Sequence, residues 1–414
     1  MDRASQAAED PRRWRLLAIV AAGELFAMAP WFSASAVAPV LANDWDLGRL
    51  GLPTLAIAVQ LGFVVGALAL AATAAADVVP ARLLFAAGAA LAAVANLGFA
   101  YLARDPATAL PFRFVTGLAL AGVYPVGLKL LAGWFRLERG LAIGVLVGAL
   151  TIGSALPYLL RALGASQGID WHATVAGASV LAILGGVLVL VGATDGPWDV
   201  PAPRFSLDIA RAAFREPSVR LANLGYLGHM WELYAMWTWV PLFVAASFAA
   251  AGTHSAATGS LAAFAIVASG GIGCVVAGRL ADRLGRTSVT IVAMAVSGTS
   301  AIVIGLLFGA APAVTVAVGV IWGVTVVADS AQFSTAVSEL APPGSAGSAL
   351  AIQTALGFLL TTVTILAVGL LDPTDGTGWR IAFGLLALGP LVGIVAMSRL
   401  RRRPEAGRMA NGHR

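Results

Sequence analysis

Twelve apolar segments, each about as long as a helix needs to cross a bilayer, constrain the fold of this chain more than any other feature. Only 11% of the residues are charged, whereas a soluble domain carries about 25%. The sequence therefore predicts an all-α membrane protein with twelve transmembrane helices. The predicted spans are 16–41, 51–75, 83–103, 109–133, 140–162, 172–193, 219–248, 258–280, 287–310, 313–334, 347–371 and 379–398.

A longer polar stretch divides these spans into two groups of six. It begins with turn-forming residues and is predicted to contain a short surface helix between an N-cap at Ser206 and Pro217. The predicted parts of the chain are an N-terminal six-helix bundle at 1–193, a linker at 194–218, a C-terminal six-helix bundle at 219–400 and a basic tail at 401–414.

The two groups are related in sequence. The octapeptide Glu24–Trp31 (ELFAMAPW) returns 208 residues later as Glu232–Trp239 (ELYAMWTW), and the Leu-Ala-Ile at 141–143 returns 209 residues later. Repeats at a nearly constant offset indicate two structurally related halves. Each octapeptide also places a carboxylate inside a predicted span. A charge there is energetically costly, so the default interpretation of such a residue is a functional one.

The basic residues predict the orientation of the chain. Of 26 Lys and Arg residues, Arg113 and Lys129 lie within span four, and four more lie in the loops of one side. The other 20 lie at the termini and in the loops of the opposite side, which the positive-inside rule places in the cytoplasm. We therefore expect a multi-pass cell-membrane protein with both termini cytoplasmic. The four arginines of the other side are Arg49, Arg104, Arg161 and Arg380.

The loop between spans eight and nine carries a recognisable motif, Gly278-Arg-Leu-Ala-Asp282-Arg283-Leu-Gly285-Arg286. Its glycines permit a tight turn, and its aspartate suits the free amides at a neighbouring helix N-terminus. The motif, the twelve spans, the central linker and the repeats together resemble the major facilitator superfamily over the whole chain. The resemblance implies a secondary transporter in which this loop acts as a cytoplasmic gate. The alternative is that the arginines only fix the topology.

The corresponding loop between spans two and three departs from the family pattern. It keeps little beyond Asp77 and a downstream arginine. Our hypothesis is that the cytoplasmic lock relies mainly on Asp282, facing the start of span five near Arg139 and Gly140.

In this family, spans one, four, seven and ten line the central cavity, and the strong polar residues within the predicted spans fall in those four. The candidates for proton or substrate coupling are Glu24, Glu232, His229, Arg113 and Asp329. The candidates for lining the substrate cavity are Tyr226 and Trp237. The alternatives are structural hydrogen bonds for the glutamates and His229, snorkelling for Arg113 and an interfacial cap for Asp329. Trp31 and Trp239 are interpreted as interfacial anchors.

The chain is predicted not to be an enzyme. It contains no phosphate-binding P-loop motif, so the expected energy source is an ion gradient, with protons favoured over sodium. No cofactor and no metal site are expected, since only His229 of the four histidines lies centrally in a span. The expected partners are a small organic solute and the lipid bilayer, without nucleic acid, and we expect a functional monomer.

The substrate and the direction of transport stay open at this stage. Two acids and several aromatic residues favour a cationic or zwitterionic organic solute, whereas Arg113 favours an organic anion. A distant resemblance to nitrate and nitrite porters lacks their glycine-asparagine signatures. Import and export, and symport and antiport, fit the sequence equally. The alternative function is a membrane sensor or assembly factor that keeps the fold without transport.

Overall fold

A computed structural model describes most of the chain, and within the described residues it contains helices and turns only. The described residues are 10–136, 138–198 and 206–413, without the side chains of Ala76, Asp77, Ala210 and Asn411. The first nine helices are α1 (Arg12–Ala27), α2 (Ser33–Asp44), α3 (Gly51–Thr73), α4 (Ala75–Val78), α5 (Ala81–Tyr101), α6 (Pro106–Leu120), α7 (Tyr124–Trp134), α8 (Arg139–Ala165) and α9 (Trp171–Gly192). The next ten are α10 (Leu207–Arg215), α11 (Pro217–Ala250), α12 (Ala256–Ala268), α13 (Gly270–Leu284), α14 (Arg286–Leu306), α15 (Pro312–Val326), α16 (Ser330–Leu340), α17 (Ala346–Leu371), α18 (Gly376–Leu386) and α19 (Leu388–Arg401).

Eleven helical segments of the described chain are long and apolar enough to cross a membrane. Four of them consist of two consecutive helices: α6 with α7, α12 with α13, α15 with α16 and α18 with α19. Eleven of the predicted spans therefore have a counterpart. The predicted first span instead forms two shorter helices, α1 and α2, on either side of a turn at residues 28–32 that contains Pro30. Proline explains the break because it cannot continue a helical hydrogen-bond ladder.

Each half of the chain packs its own helices together, and α8 and α3 make the most extensive contacts between the halves. In the first half α3 packs on α6 and α5 on α9, and in the second half α11 packs on α19 and α14 on α15. Across the halves, α8 packs against α12 and α13, and α3 packs against α17. Large apolar side chains such as Val94, Val191 and Ile272 point outward, as lipid-facing residues do.

The internal duplication extends to spans four and ten, where the sequence repeat was not evident. Both spans consist of a 15-residue helix, a three-residue break and an 11-residue helix. The breaks lie at 121–123 and 327–329, 206 residues apart. Each of the two spans also has a glycine in close contact with a backbone carbonyl of another helix of its own half. Gly117 of α6 lies against the Val59 carbonyl of α3, and Gly323 of α15 lies against the Ile266 carbonyl of α12.

Replacing either glycine by alanine should destabilise the protein by about 1–3 kcal/mol, because the new methyl group would collide with a backbone carbonyl that cannot rotate away. Gly384→Ala in α18 is the matched control, since its Cβ would have nothing within 4 Å. The measurement is thermal unfolding in detergent. Equal melting temperatures for Gly117→Ala, Gly323→Ala and Gly384→Ala would contradict this packing.

The linker contains the predicted surface helix. It is α10, and the Ser206 hydroxyl caps it by accepting a 3.3 Å hydrogen bond from the Ile209 backbone amide. Residues 199–205 of the linker lie outside the described residues.

The described part of the C-terminal tail lies against the protein. Its two 3₁₀ turns, Pro404–Arg408 and Ala410–Gly412, dock on the protein with Met409 fully buried. The Arg408 guanidinium donates to the carbonyls of Glu339 and Leu340 at the end of α16. A buried methionine and these backbone acceptors explain why the tail lies against the protein.

Candidate functional site

A small central cavity of about 50 Å³ lies between the two halves. Helices α7 and α8 of the first half line it together with α11, α16 and α17 of the second half. Its volume is that of about one or two water molecules. No charged side chain is among the described lining residues. They are Tyr124, Val147, Leu150, Tyr226, Met230, Leu233, Tyr234, Trp237, Val327, Ser330, Ser334, Thr354 and Phe358.

The cavity contains both predicted lining residues, Tyr226 and Trp237, and several that the sequence did not suggest. Spans five and eleven contribute to its wall, whereas span one does not. Tyr124 and Ser330 were missed although each begins the helix that follows a break, at equivalent positions 206 residues apart. Recognition of the paired breaks in spans four and ten would have identified both residues.

An aromatic cluster covers one side of the cavity and links the halves. The Tyr234 ring centroid lies 4.9 Å from that of Phe358, 5.3 Å from that of Trp237 and 5.7 Å from that of Trp31. The ring centroids of Phe32 and Trp237 lie 5.7 Å apart in a T-shaped arrangement. The cluster therefore joins the turn between α1 and α2 to α11 and α17.

The interpretation of Trp31 and Trp239 as interfacial anchors is wrong. Both indoles are at least 95% buried within the protein. The Trp239 indole N–H donates a 3.3 Å hydrogen bond to the Ile365 carbonyl of α17. A tryptophan with its N–H satisfied inside the bundle contributes packing rather than membrane anchoring.

Glu24 is fully buried, and neither of its carboxylate oxygens has a hydrogen-bond partner in the described structure. The carboxylate faces α7, where a Cβ at Gly127 would lie 3.0 Å from Oε2. Gly127 lies one helical turn after the cavity-lining Tyr124, on the same face of α7. A buried polar group without a partner is rare and costly, and among the described glutamates and aspartates only Glu24 has both carboxylate oxygens buried without a partner.

Glu232 occupies a different environment although it is the repeat counterpart of Glu24. Its Oε1 accepts a 2.7 Å hydrogen bond from the Trp322 indole of α15, and its Oε2 accepts a 2.9 Å bond from the Ser297 hydroxyl of α14. It does not line the cavity. Glu232 therefore ties three helices of the second half together.

His229 and Asp329 form a buried pair within the second half. The His229 Nδ1 lies 2.9 Å from the Asp329 Oδ1, and the exposed fraction of each side chain is at most 2%. Asp329 is in the break between α15 and α16. The structure therefore buries Asp329 and does not place it as an interfacial cap.

Arg113 is 1% exposed, which excludes the snorkelling alternative. Its guanidinium donates to the Pro30 carbonyl at 3.1 Å, to the Ser33 hydroxyl at 3.1 Å, to the Asn96 side-chain oxygen at 3.0 Å and to the Trp31 carbonyl. It also lies over the Phe99 ring. These acceptors belong mainly to the turn that breaks the predicted first span.

The signature loop lies where α13 meets α8. A Cβ at Gly140, near the beginning of α8, would lie 3.0 Å from the Asp282 Oδ2, so the carboxylate sits against the N-terminus of this helix. A Cβ at Gly278 would lie 3.0 Å from the Gly140 carbonyl oxygen. The loop glycine and aspartate therefore hold α13 against α8.

The loop arginines have separate positions. Arg286 is 5% exposed and binds Glu339 of α16 bidentately, at 2.7 and 2.8 Å, and it donates to the Gln332 side chain. Its guanidinium also lies 3.5 Å from the Asp282 carboxylate. Arg283 is exposed. Gly285 joins α13 to α14 with a φ of +88°, which favours glycine. The side chain of Asp77 lies outside the described residues.

Comparison with known proteins now decides the family. Residues 20–365 match the Major Facilitator Superfamily. The chain belongs to this family. Its family is one of multi-pass membrane transporters, which agrees with the prediction that the chain is not an enzyme.

Individual major facilitator proteins resemble the chain more distantly. The MFS-type transporter pytF of Aspergillus terreus is 29% identical over 177 residues, which cover 41% of this chain and 55% of that protein. The match thus spans about half of that transporter. None of the relatives named here is a nitrate or nitrite porter, so that resemblance stays a prediction.

Solved structures show the same fold. The D-xylose-proton symporter aligns with a TM-score of 0.75 at 15% identity, covering 95% of this chain and 99% of that one. A point mutant of the nucleoside transporter NupG aligns with a TM-score of 0.70 at 15% identity, covering 93% and 99%. A bacterial homologue of the human lysosomal transporter Spinster aligns with a TM-score of 0.64 at 15% identity, covering 95% and 96%.

Proposed function

We propose that the chain is a secondary active transporter that moves a small organic solute by alternating access and couples this movement to protons. The observation that carries the proposal is the uncharged cavity between the halves, next to a buried carboxylate without a partner. In this proposal α1 and α2 together form a twelfth span. The bundles at 1–193 and 219–400 rock about the cavity, and a monomer with both termini in the cytoplasm of a cell membrane is functional.

The two ends of α8 support alternating access. At its N-terminal end α8 lies against α13, where Gly144 and Gly278 allow the backbones to approach closely. At its C-terminal end a second cavity of about 230 Å³ opens between α2, α8, α11 and α12. The Tyr158 hydroxyl of this second cavity donates a 3.0 Å hydrogen bond to the carbonyl of Trp237, which lines the central cavity. The Tyr158–Trp237 hydrogen bond thus links the second cavity to the wall of the central cavity, while close helix packing lies at the other end of α8.

Coupling to protons is proposed for Glu24, with the His229–Asp329 pair as a second candidate. A charged carboxylate that is buried without a partner costs free energy. Opening of the cavity to water therefore favours the ionised form, and closure favours the protonated form. Glu232, which accepts two hydrogen bonds, is assigned a structural role in this proposal. Arg113 is likewise assigned to the turn between α1 and α2.

Flux measurements in proteoliposomes test the proposed function. A thermal-shift screen of sugars, nucleosides and organic cations first identifies a stabilising solute. That solute should then drive proton movement, followed with an enclosed pH-sensitive dye, and Glu24→Gln should abolish the proton movement. Binding of the solute without flux of either species would instead favour the alternative, a sensor that keeps the fold.

Asp282→Asn should reduce the initial transport rate about tenfold, because the amide loses the charge that favours the N-terminus of α8. Gly140→Ala should act similarly, since its methyl group would press on the Asp282 carboxylate. Asp77→Asn should keep most of the rate. The measurement is initial uptake by matched amounts of reconstituted protein. Equal losses in the Asp77 and Asp282 variants would refute the proposed lock.

A further inference from the structure

The charge of the solute can be inferred from the surroundings of the central cavity. Among the described lining residues the polar atoms are hydroxyls and an indole N–H, and no basic side chain is present. Arg113 of span four uses its guanidinium to bind the turn between α1 and α2. His229, whose ring centroid lies 6.2 Å from that of the lining Tyr226, is paired with Asp329. A solute with a negative charge would therefore meet no cation in this cavity.

The aromatic composition of the cavity suits a positive charge. Tyr124, Tyr226, Tyr234, Trp237 and Phe358 supply five rings to a cavity lined by both halves. Ring faces carry negative electrostatic potential, and a desolvated cation over such a face is stabilised. Trp237 and Tyr234, whose centroids are 5.3 Å apart at an angle of 60°, present two differently oriented faces.

Glu24 supplies the missing counter-charge. It is fully buried and unpartnered, and its carboxylate contacts the α7 turn that begins with Tyr124. Leu146, which also lies against the Gly127 position, precedes the cavity-lining Val147 in sequence. The carboxylate therefore lies beside α7, and its helix α1 packs against α7 and α8, which both line the cavity. The low dielectric inside the bundle strengthens the attraction between this carboxylate and a cation in the cavity.

We propose that the solute is a monovalent organic cation with an apolar body, held by the aromatic rings of the central cavity and neutralised by Glu24. This inference rests on the proposed function and specifies its substrate class. The cavity of about 50 Å³ is too small for such a solute, so the site reaches full size when the halves separate. Competition between the cation and a proton for Glu24 then links solute binding to proton release.

Binding of three benzyl compounds to the purified full-length protein tests the charge preference. The probes are benzyltrimethylammonium, neutral benzyl alcohol and anionic benzylsulfonate, which share one aromatic body, and the readouts are tryptophan fluorescence and titration calorimetry. We expect the cation to bind at least about tenfold more tightly than the alcohol, and benzylsulfonate not to bind. Preference for benzylsulfonate, equal affinity for all three, or no binding of the cation would overturn the proposal.

Variants locate the charge that is responsible. Glu24→Gln should weaken benzyltrimethylammonium binding about tenfold and leave benzyl alcohol binding within about twofold. Tyr234→Leu should weaken the cation more than the alcohol. Asp44→Asn, at an exposed carboxylate in the last position of α2, is the matched control and should change neither. Unchanged cation binding in Glu24→Gln would overturn the assignment of this residue.

The transport proposal and the cation-site proposal can be refuted independently of each other. If benzyltrimethylammonium binds as described but no solute moves in proteoliposomes, the transport proposal is wrong and the cation site stands. If other solutes are transported while the cation does not bind, transport stands and the cation site is wrong.

Discussion

Arg113→Met should cost about 3 kcal/mol or more of folding stability, because the guanidinium is the donor that satisfies the turn between α1 and α2. The Trp31 carbonyl would lose its side-chain donor and remain buried, and each such orphaned group costs about 1–3 kcal/mol. The Pro30 carbonyl would keep the 3.4 Å hydrogen bond from the Ser33 backbone amide, and the Asn96 oxygen would be left with the Ser33 hydroxyl. The stability of Arg113→Lys should fall between that of the unchanged protein and that of Arg113→Met, since one ammonium cannot span acceptors arranged for a planar guanidinium.

Thermal unfolding of purified protein measures this effect, with Arg104→Met as the matched control at an exposed arginine of the neighbouring loop. The alternative for Arg113, direct binding of an anionic solute, predicts a different pattern. It requires Arg113→Met to unfold at the normal temperature and to lose transport only. That outcome would show that the hydrogen bonds to the turn contribute little, and it would reopen the question of the solute charge.

Arg113 shows which part of the site the sequence could not predict. Its type and its place in a predicted span marked it as important, because a charge in a membrane span is expensive. Three of its four acceptors are 80 to 83 residues away, at Pro30, Trp31 and Ser33, where a turn interrupts the first span. A hydropathy pattern reports that a segment is apolar, and it does not report that the segment turns in the middle. The sequence could therefore identify the residue and not its acceptors.

The fold was predictable to a greater extent, because length and hydropathy determine spans without reference to tertiary partners. Eleven predicted spans have helical counterparts, and the linker helix begins at its predicted cap. The paired breaks at 121–123 and 327–329 were not predicted, since Pro125 marks only the first of them. The docking of Met409 was also missed, because fourteen mainly polar C-terminal residues carry no periodic signal. Such features depend on contacts between distant segments.

The two repeated glutamates should respond oppositely to substitution, although their sequence surroundings are alike. Glu232→Leu should destabilise the protein by about 2–4 kcal/mol, because it leaves the buried Trp322 indole and Ser297 hydroxyl without their acceptor. Glu24→Leu should leave stability unchanged or increase it, because it removes a buried carboxylate that has no partner. The same change should abolish proton-coupled transport.

Parallel measurement of unfolding temperature and proton-coupled flux in both variants separates the two roles. Glu232→Gln is the conservative control: its amide oxygen can still accept from Trp322, so it should recover most of the stability that Glu232→Leu loses. If Glu24→Leu is the less stable variant, Glu24 must have a partner that forms in solution, and its assignment to coupling fails. The expected result instead means that the two copies of the repeated carboxylate have different roles. Hydrogen bonds from Ser297 and Trp322 make Glu232 a structural residue. Glu24, without such partners, remains able to bind a proton or a cation.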